Sequence, residues 1–208
     1  MSRGKFISLE GIDGAGKSTH VVYLANLVRS LEQPLVVTRE PGGTPLGEKL
    51  RALVLSEPMH AETETLLMFA ARREHIERVI SPALERGDWV VSDRFTDASY
   101  AYQGGGRNVS QQKLQQIEAW TVADLAPDLT LLFDLDLTIA KNRQSNAGII
   151  PDRFEQEQHA FFNGVRNKYL ERAASFPQRI KVLDASMPIA VIQEQIKTLV
   201  FALVVETK

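Results

Sequence analysis

Short apolar runs alternate along this chain with longer stretches in which apolar side chains return every three or four positions. The short runs are Phe6-Ile7-Ser8-Leu9, Leu35-Val36-Val37-Thr38, Trp89-Val90-Val91-Ser92, Leu129 to Leu135 and Ile180 to Asp184. They are strand-length and mostly apolar, which predicts strands, the first and third of them buried. Between the first two, residues 18–31 place Val21, Val22, Leu24, Ala25, Leu27 and Val28 at helical spacing. Similar periodicity predicts helices over about 46–55, 62–86, 111–123, 154–175 and 189–205, with another starting near Thr138. Strands that alternate with helices predict an α/β fold, a five-stranded parallel sheet covered on both faces. Gly104-Gly105-Gly106 predicts a loop, and Tyr102 just before it is expected outside the core, because such a loop buries little.

With 208 residues and no repeat, low-complexity tract or linker, the pattern predicts a single domain spanning 1–208. The composition is 44% apolar and 24% charged, with a net charge of −2. That balance gives no electrostatic reason to expect nucleic acid as a partner. No run approaches the ~18 apolar residues of a membrane span, so no membrane partner is expected and the cytoplasm is the expected location. The absence of cysteine rules out disulfides, thiolate metal sites and a thiol nucleophile.

The first strand runs into Gly11-Ile12-Asp13-Gly14-Ala15-Gly16-Lys17-Ser18, which matches G-x-x-x-x-G-K-[ST] between a strand and a helix. Glycines let backbone N–H groups converge on phosphate, and the helix N-terminus adds a favourable dipole. A lysine here reaches β/γ oxygens, and a Ser18 hydroxyl suits Mg²⁺. The motif indicates a bound nucleoside triphosphate and the three-layer P-loop NTPase fold. By itself it does not separate a kinase from a GTPase or a motor.

Further clusters follow the strand ends, where open α/β sheets bind ligands. They are Thr38-Arg39-Glu40-Pro41-Gly42-Gly43-Thr44, the stretch ending at Arg51, Phe69-Ala70-Ala71-Arg72-Arg73, Asp93-Arg94, Ala101-Tyr102-Gln103-Gly104-Gly105-Gly106 and Asp152-Arg153-Phe154-Glu155. In this order and spacing they closely resemble the bacterial thymidylate kinases, over most of the chain. The resemblance implies an ATP site at Gly11, Ile12, Asp13, Gly14, Ala15, Gly16, Lys17, Ser18 and Thr19, bordered by Arg143. It implies a dTMP site at Asp13, Arg39, Pro41, Arg51, Phe69, Arg72, Arg73, Arg94, Ser99, Tyr102 and Gln103.

Within that set, Arg94 and Arg51 would hold the acceptor phosphate, with Arg39 a weaker candidate. Asp13 would face the sugar 3′-hydroxyl, and Phe69 would stack on the base. An ungapped count back from Pro82 places Met68 at the stacking position instead; Phe69 is preferred on its chemistry. Arg72 or Arg73 would hydrogen-bond a base oxygen, and Ser99, Tyr102 and Gln103 would contact base and sugar. Mg²⁺ would lie near Ser18 and Asp93, held by Asp93 directly or through water.

Residues 143–153 resemble the mobile lid of nucleoside monophosphate kinases. Gly14 marks the family type that places its extra arginines in the lid, yet here only Arg143 and Arg153 are present, with Lys141 nearby. The resemblance sets Arg143 against the adenine and leaves Arg153 as the clamp on the transition state. The catalytic set is then Lys17, Arg94, Arg153 and Asp13. A homodimer is also implied, with 62–86 able to supply an apolar face.

The expected chemistry is in-line transfer of the ATP γ-phosphoryl group to dTMP. An acceptor phosphate with a second pKa of about 6 needs no strong general base. Two rivals stand beside it: a kinase for UMP, CMP or a deoxynucleoside, and a nucleotide-dependent switch. A nucleoside acceptor would need a base for its hydroxyl, and the Asn-Lys-x-Asp signature of GTP readers is absent.

Overall fold

In the computed structural model, residues 3–146, 153–154 and 157–205 are described. Five strands, β1 (Phe6–Glu10), β2 (Leu35–Arg39), β3 (Trp89–Asp93), β4 (Leu129–Asp134) and β5 (Ile180–Asp184), form one sheet in the order β2-β3-β1-β4-β5. Every neighbouring pair is parallel. The α/β architecture expected from the alternation is therefore what the chain adopts.

The helices are α1 (Lys17–Ser30), α2 (Pro45–Ser56), α3 (Ala61–His75), α4 (Ser81–Glu85), α5 (Thr96–Ser99), α6 (Gln111–Thr121), α7 (Leu137–Asn146), α8 (His159–Ser175) and α9 (Ile189–Val205). Side chains of successive strand residues leave by opposite faces of the sheet. Phe6 and Val90 join a cluster with Phe69, Ile80, Leu84 and Phe95. Ile7, Leu9 and Val91 join a second cluster with Leu24, Val28, Val165 and Ile196. β1 lies at the middle of the sheet, so its carboxyl end opens between these two layers.

Three sequence expectations change. The helix expected over 62–86 is α3, then a π turn over Ile76–Ile80, then the short α4. Pro82 has no N–H to give the preceding turn, so the regular ladder cannot run through it. The helix expected from 154 begins at His159, and Phe154 is instead a buried residue in the approach to α8.

The third change is at the glycine triplet. Tyr100–Gly106 is a π-helical turn packed on α8, not an exposed loop. A Cβ at Gly105 would lie 2.3 Å from the carbonyl oxygen of Gly164, so glycine here allows two backbones to touch. Tyr102 is consequently buried, contrary to the expectation that it lies outside the core.

Candidate active site

The glycine loop leaves β1 and turns into α1. Gly14 and Gly16 have φ of +84° and +86°, a region open to glycine at little cost. At Gly14 a side chain would also meet the carbonyl of Ala140 in α7, at 2.6 Å from Cβ. No side chain caps the start of α1, so its first N–H groups remain available for an anion. Lys17 is buried, and its Nζ donates to the carbonyls of Gly11 and Ile12, both at 3.0 Å. Burial pushes its pKa down, and Arg94 adds to that shift, while Asp13, Asp93 and Glu10 oppose it.

Arg94 is the hub of the site. Its φ of +75° is uncommon for a residue with a side chain. Its N–H donates to the carbonyl of Leu9 and its own carbonyl accepts from Ser92 Oγ, which hold that conformation. The guanidinium donates through Nη1 to Gly11 O at 2.9 Å and Tyr169 Oη at 3.1 Å. Through Nη2 it donates to Asp13 Oδ1 at 2.7 Å and Tyr102 Oη at 3.0 Å. It also lies over the Tyr102 ring, 4.8 Å from the centroid. Burial would raise the Asp13 pKa, but Arg94 and Lys17 overcome it and hold that carboxyl well below the usual range.

Beside this hub is a cavity of about 200 Å³, lined by Asp13, Pro41, Arg51, Met68, Arg94, Tyr102, Gln103 and Phe154 among others. Arg51 donates to the carbonyl of Pro41 at 3.1 Å. Two cationic side chains thus share one end of the cavity with Asp13, while Met68 and Phe154 give it an apolar part. Asp13 belongs to the glycine loop, so the cavity reaches that loop.

The structure separates the two aromatic-register alternatives. Phe69 has no exposed surface and lies in the core, 4.7 Å beneath the Arg72 guanidinium carbon. Met68, not Phe69, lines the cavity. The reason is helical phase: residues one apart on α3 point about 100° away from each other. The same phase separates the two arginines. Arg72 is buried and donates to Glu40 at 2.6 Å, Ser99 Oγ at 2.9 Å and Phe95 O at 3.0 Å. Arg73 points outward, pairs with Glu77 and reaches the carbonyl of Thr121, away from the cavity.

Ser99 serves as an acceptor for Arg72, and Gln103 lines the cavity. Arg39 pairs with Glu48 at 3.0 Å on the rim of a separate cleft of about 470 Å³. That cleft is also lined by Ser18 and Asp93, the two residues expected near a metal. Asp93 Oδ1 is buried and has no hydrogen-bond partner among the described residues. Those residues contain no group of three or more carboxylates or histidines able to hold a metal. One carboxylate and one hydroxyl, completed by phosphate oxygens and water, is an arrangement that suits Mg²⁺.

The ends of the expected lid are held on opposite sides. Arg143 donates to the carbonyl of Ala185 at 3.1 Å, joining α7 to the loop after β5. Arg153 donates to the carbonyl of Val54 at 2.9 Å and pairs with the buried Glu64. In this position Arg153 stands against α2 and α3, not against the glycine loop. Lys141 lines a small cavity with Asp13 and Ile12. Residues 147–152 of the lid lie outside the described residues.

Several site residues were not read from the sequence. Glu10 is fully buried, accepting from Phe95 N and Tyr169 Oη, each at 2.7 Å. Burial and Asp97 push its pKa up to about 8, against the pull of Arg94. A carboxylate closing an apolar strand just before the glycine loop was its available signal. Tyr169 continues the buried α8 positions Phe161 and Val165 at four-residue spacing, which marks burial but not its contact with Arg94. Glu40, His75 and Glu64 form buried pairs whose partners are remote in sequence and left no local sign.

Comparison with known proteins places these residues in context. A family model described as thymidylate kinase matches residues 9–196. A thymidylate kinase of Janthinobacterium sp. (strain Marseille) is 58% identical over 200 residues, covering 96% of this chain and 98% of that protein. One from Nitrosomonas europaea is 55% identical over 202 residues, covering 96% and 94%. The crystal structure of thymidylate kinase from Ehrlichia chaffeensis superposes with a TM-score of 0.78 at 29% identity, covering 95% of this chain and 98% of that one.

Proposed function

The chain belongs to the thymidylate kinase family, and from that premise we propose how its residues phosphorylate dTMP. The reaction takes the γ-phosphoryl group of ATP to the dTMP phosphate, giving dTDP and ADP on the route to dTTP. The observation that carries this reading is the junction at Arg94: one guanidinium touches the glycine loop, Asp13 and the wall of a ring-sized cavity.

The amides of the glycine loop and Lys17 hold the ATP phosphates, with Thr19 beside them and Arg143 bordering the adenine. Lys17 already sits among acceptor oxygens, so it exchanges loop carbonyls and Asp13 for phosphate oxygens. Arg94 and Arg51 bind the dTMP phosphate at the near end of the cavity, and Pro41 lines its side. Asp13, kept ionised by Arg94 and Lys17, accepts from the sugar 3′-hydroxyl and orients Arg94. Met68 packs on the thymine face, with Arg72 and Gln103 on its polar edge and Ser99 holding Arg72.

The acceptor oxygen attacks the γ-phosphorus, the bond to the β,γ-bridging oxygen breaks, and ADP leaves with that electron pair. Positioning and charge neutralisation supply the rate. Ser18 and Asp93 would hold Mg²⁺, which when bound would supply neutralisation of charge on the phosphates; the orphaned Asp93 oxygen supports this assignment. Arg153 is the proposed clamp, and reaching the phosphates requires it to leave Glu64 on lid closure.

The whole chain acts as one catalytic domain, in the cytoplasm and as a homodimer. No helix among the described residues is long and apolar enough to cross a membrane. Trp120 is 82% exposed and Leu66 56% exposed on adjoining faces of α6 and α3, an apolar patch suited to a second copy.

A panel of nucleoside monophosphates with Mg·ATP, read as ADP release, tests the reading. Release that depends on dTMP and is lost in Lys17→Ala is expected. Equal release without an acceptor would point to a switch, and near-normal turnover in a folded Lys17→Ala protein would refute the assignment.

A further inference from the structure

Gln103 lines the acceptor cavity, has no exposed surface, and makes one side-chain hydrogen bond: its Nε2 donates to Glu64 Oε1 at 2.9 Å. Its Oε1 is buried and has no partner among the described residues. A buried amide oxygen without a donor is costly unless something supplies one.

Glu64 explains why the amide stands this way round. It is fully buried at the start of α3, and its other oxygen is bound by Arg107 at 3.2 Å and by Arg153. A carboxylate held by two guanidinium groups can only accept. Turning the Gln103 amide over would set Oε1 against Glu64 Oε1, two acceptors at hydrogen-bond distance, and would leave Nε2 unbonded. Arg107 does not supply the missing donor: its Nε and Nη1 go to Glu64 and Glu157, and its buried Nη2 has no partner among the described residues, Gln103 Oε1 included.

We propose that Glu64 is a positioning residue that sets the polarity of Gln103, so that the cavity presents an acceptor and selects pyrimidines carrying an N3–H. Resting on the dTMP reading above, this names the part of the base that is tested. Thymine and uracil both carry a donor at N3. Cytosine carries a lone pair there, which would face the Gln103 oxygen. A site that leaves a buried polar group unpaired rejects the analogue far more strongly than one that loses a methyl contact.

The test compares kcat/KM for dUMP and dCMP, which share the absence of the 5-methyl group, in the wild-type enzyme and in Glu64→Gln. Glu64→Gln can offer either an oxygen or an amide, so Gln103 is free to turn over. The dUMP/dCMP ratio is expected to fall about tenfold or more, in part through a rise in dCMP turnover. Gln103→Leu, which neither donates nor accepts, should also lower that ratio. Loss of the Arg153 pair alone would slow every acceptor alike and leave the ratio unchanged.

If Glu64→Gln does not fold, Glu64→Asp carries the same comparison, keeping the charge for both arginines while withdrawing the oxygen from Gln103. A ratio within twofold of wild type in a folded Glu64 variant, or in Gln103→Leu, overturns the proposal. A wild-type enzyme that releases no ADP with dTMP or dUMP overturns the functional reading instead, so the two failures are distinguishable.

Discussion

Arg94 Nη2 lies 2.7 Å from Asp13 Oδ1, so the cation at the proposed acceptor cavity is fastened to the glycine loop proposed to hold the donor phosphates. A second bond from the same guanidinium reaches the Gly11 carbonyl. Four acceptors arranged around one planar fork make the site rigid before any phosphate arrives. Lysine cannot reproduce such a fork. Arg94→Lys is expected to lower kcat/KM for dTMP by about 10²–10³-fold, in the range for removing a preorganised charge donor. Steady-state ADP release measures it, and a loss under fivefold would remove Arg94 from the phosphate contacts.

Tyr169 Oη accepts from Arg94 and donates to Glu10, which makes it the link between two buried groups of opposite character. Tyr169→Phe leaves the ring in place and removes both bonds. A destabilisation of about 1–3 kcal/mol in urea titration is expected, since a buried carboxyl oxygen loses its donor. No change in the denaturation midpoint would show that the hydroxyl is dispensable.

Glu10 has its pKa raised from 4.5 to about 8 by burial first and by Asp97 second. A proton held by the folded state and not by the unfolded one stabilises the fold fully below about pH 4.5. That contribution declines as pH rises through the window and is gone above about pH 8. The slope from this group is at most about 1.4 kcal/mol per pH unit. Glu10→Gln stays neutral, so its melting temperature between pH 5 and 8 should fall less with pH than that of the wild type. Parallel curves would mean that Glu10 does not titrate there.

Met68 and Phe69 trade the roles that chemistry alone would give them. Met68→Ala is expected to raise the KM for dTMP several-fold, because the side chain lines the cavity, and also to cost stability, because the same side chain is buried in the core. Phe69→Ala is expected to cost about 3–5 kcal/mol, the usual range for emptying a buried aromatic site. Paired thermal melts and kinetics separate the two. The reverse pattern would restore Phe69 to the base.

Asp93 carries the buried oxygen that lacks a partner among the described residues, in the cleft shared with Ser18. Asp93→Asn should shift the Mg²⁺ concentration for half-maximal activity up by about tenfold. A fall in rate with an unchanged Mg²⁺ midpoint would argue that Asp93 acts on something other than the metal.

The glycine loop, the parallel sheet and the order of the cationic clusters were all legible along the chain, because each depends on residues close together in sequence. Glycines at 11, 14 and 16 and Lys17 answer to one local turn, and the apolar runs of β1, β3 and β4 answer to burial on both faces. Which of two adjacent side chains enters the cavity was not legible in this way. Met68 and Phe69, or Arg72 and Arg73, differ by one step of helical phase, and that phase is set by what α3 packs against.

From its order of residues alone, the chain determined its fold class, its glycine loop and the family it resembles, since short-range spacing carries all three. Tertiary structure decided the rest: Tyr102 became buried because Gly105 meets Gly164, and Glu64 gained Gln103, Arg107 and Arg153 from distant segments. Buried charges choose partners by proximity in space, where solvent no longer satisfies them, and that proximity exists only once the layers have closed.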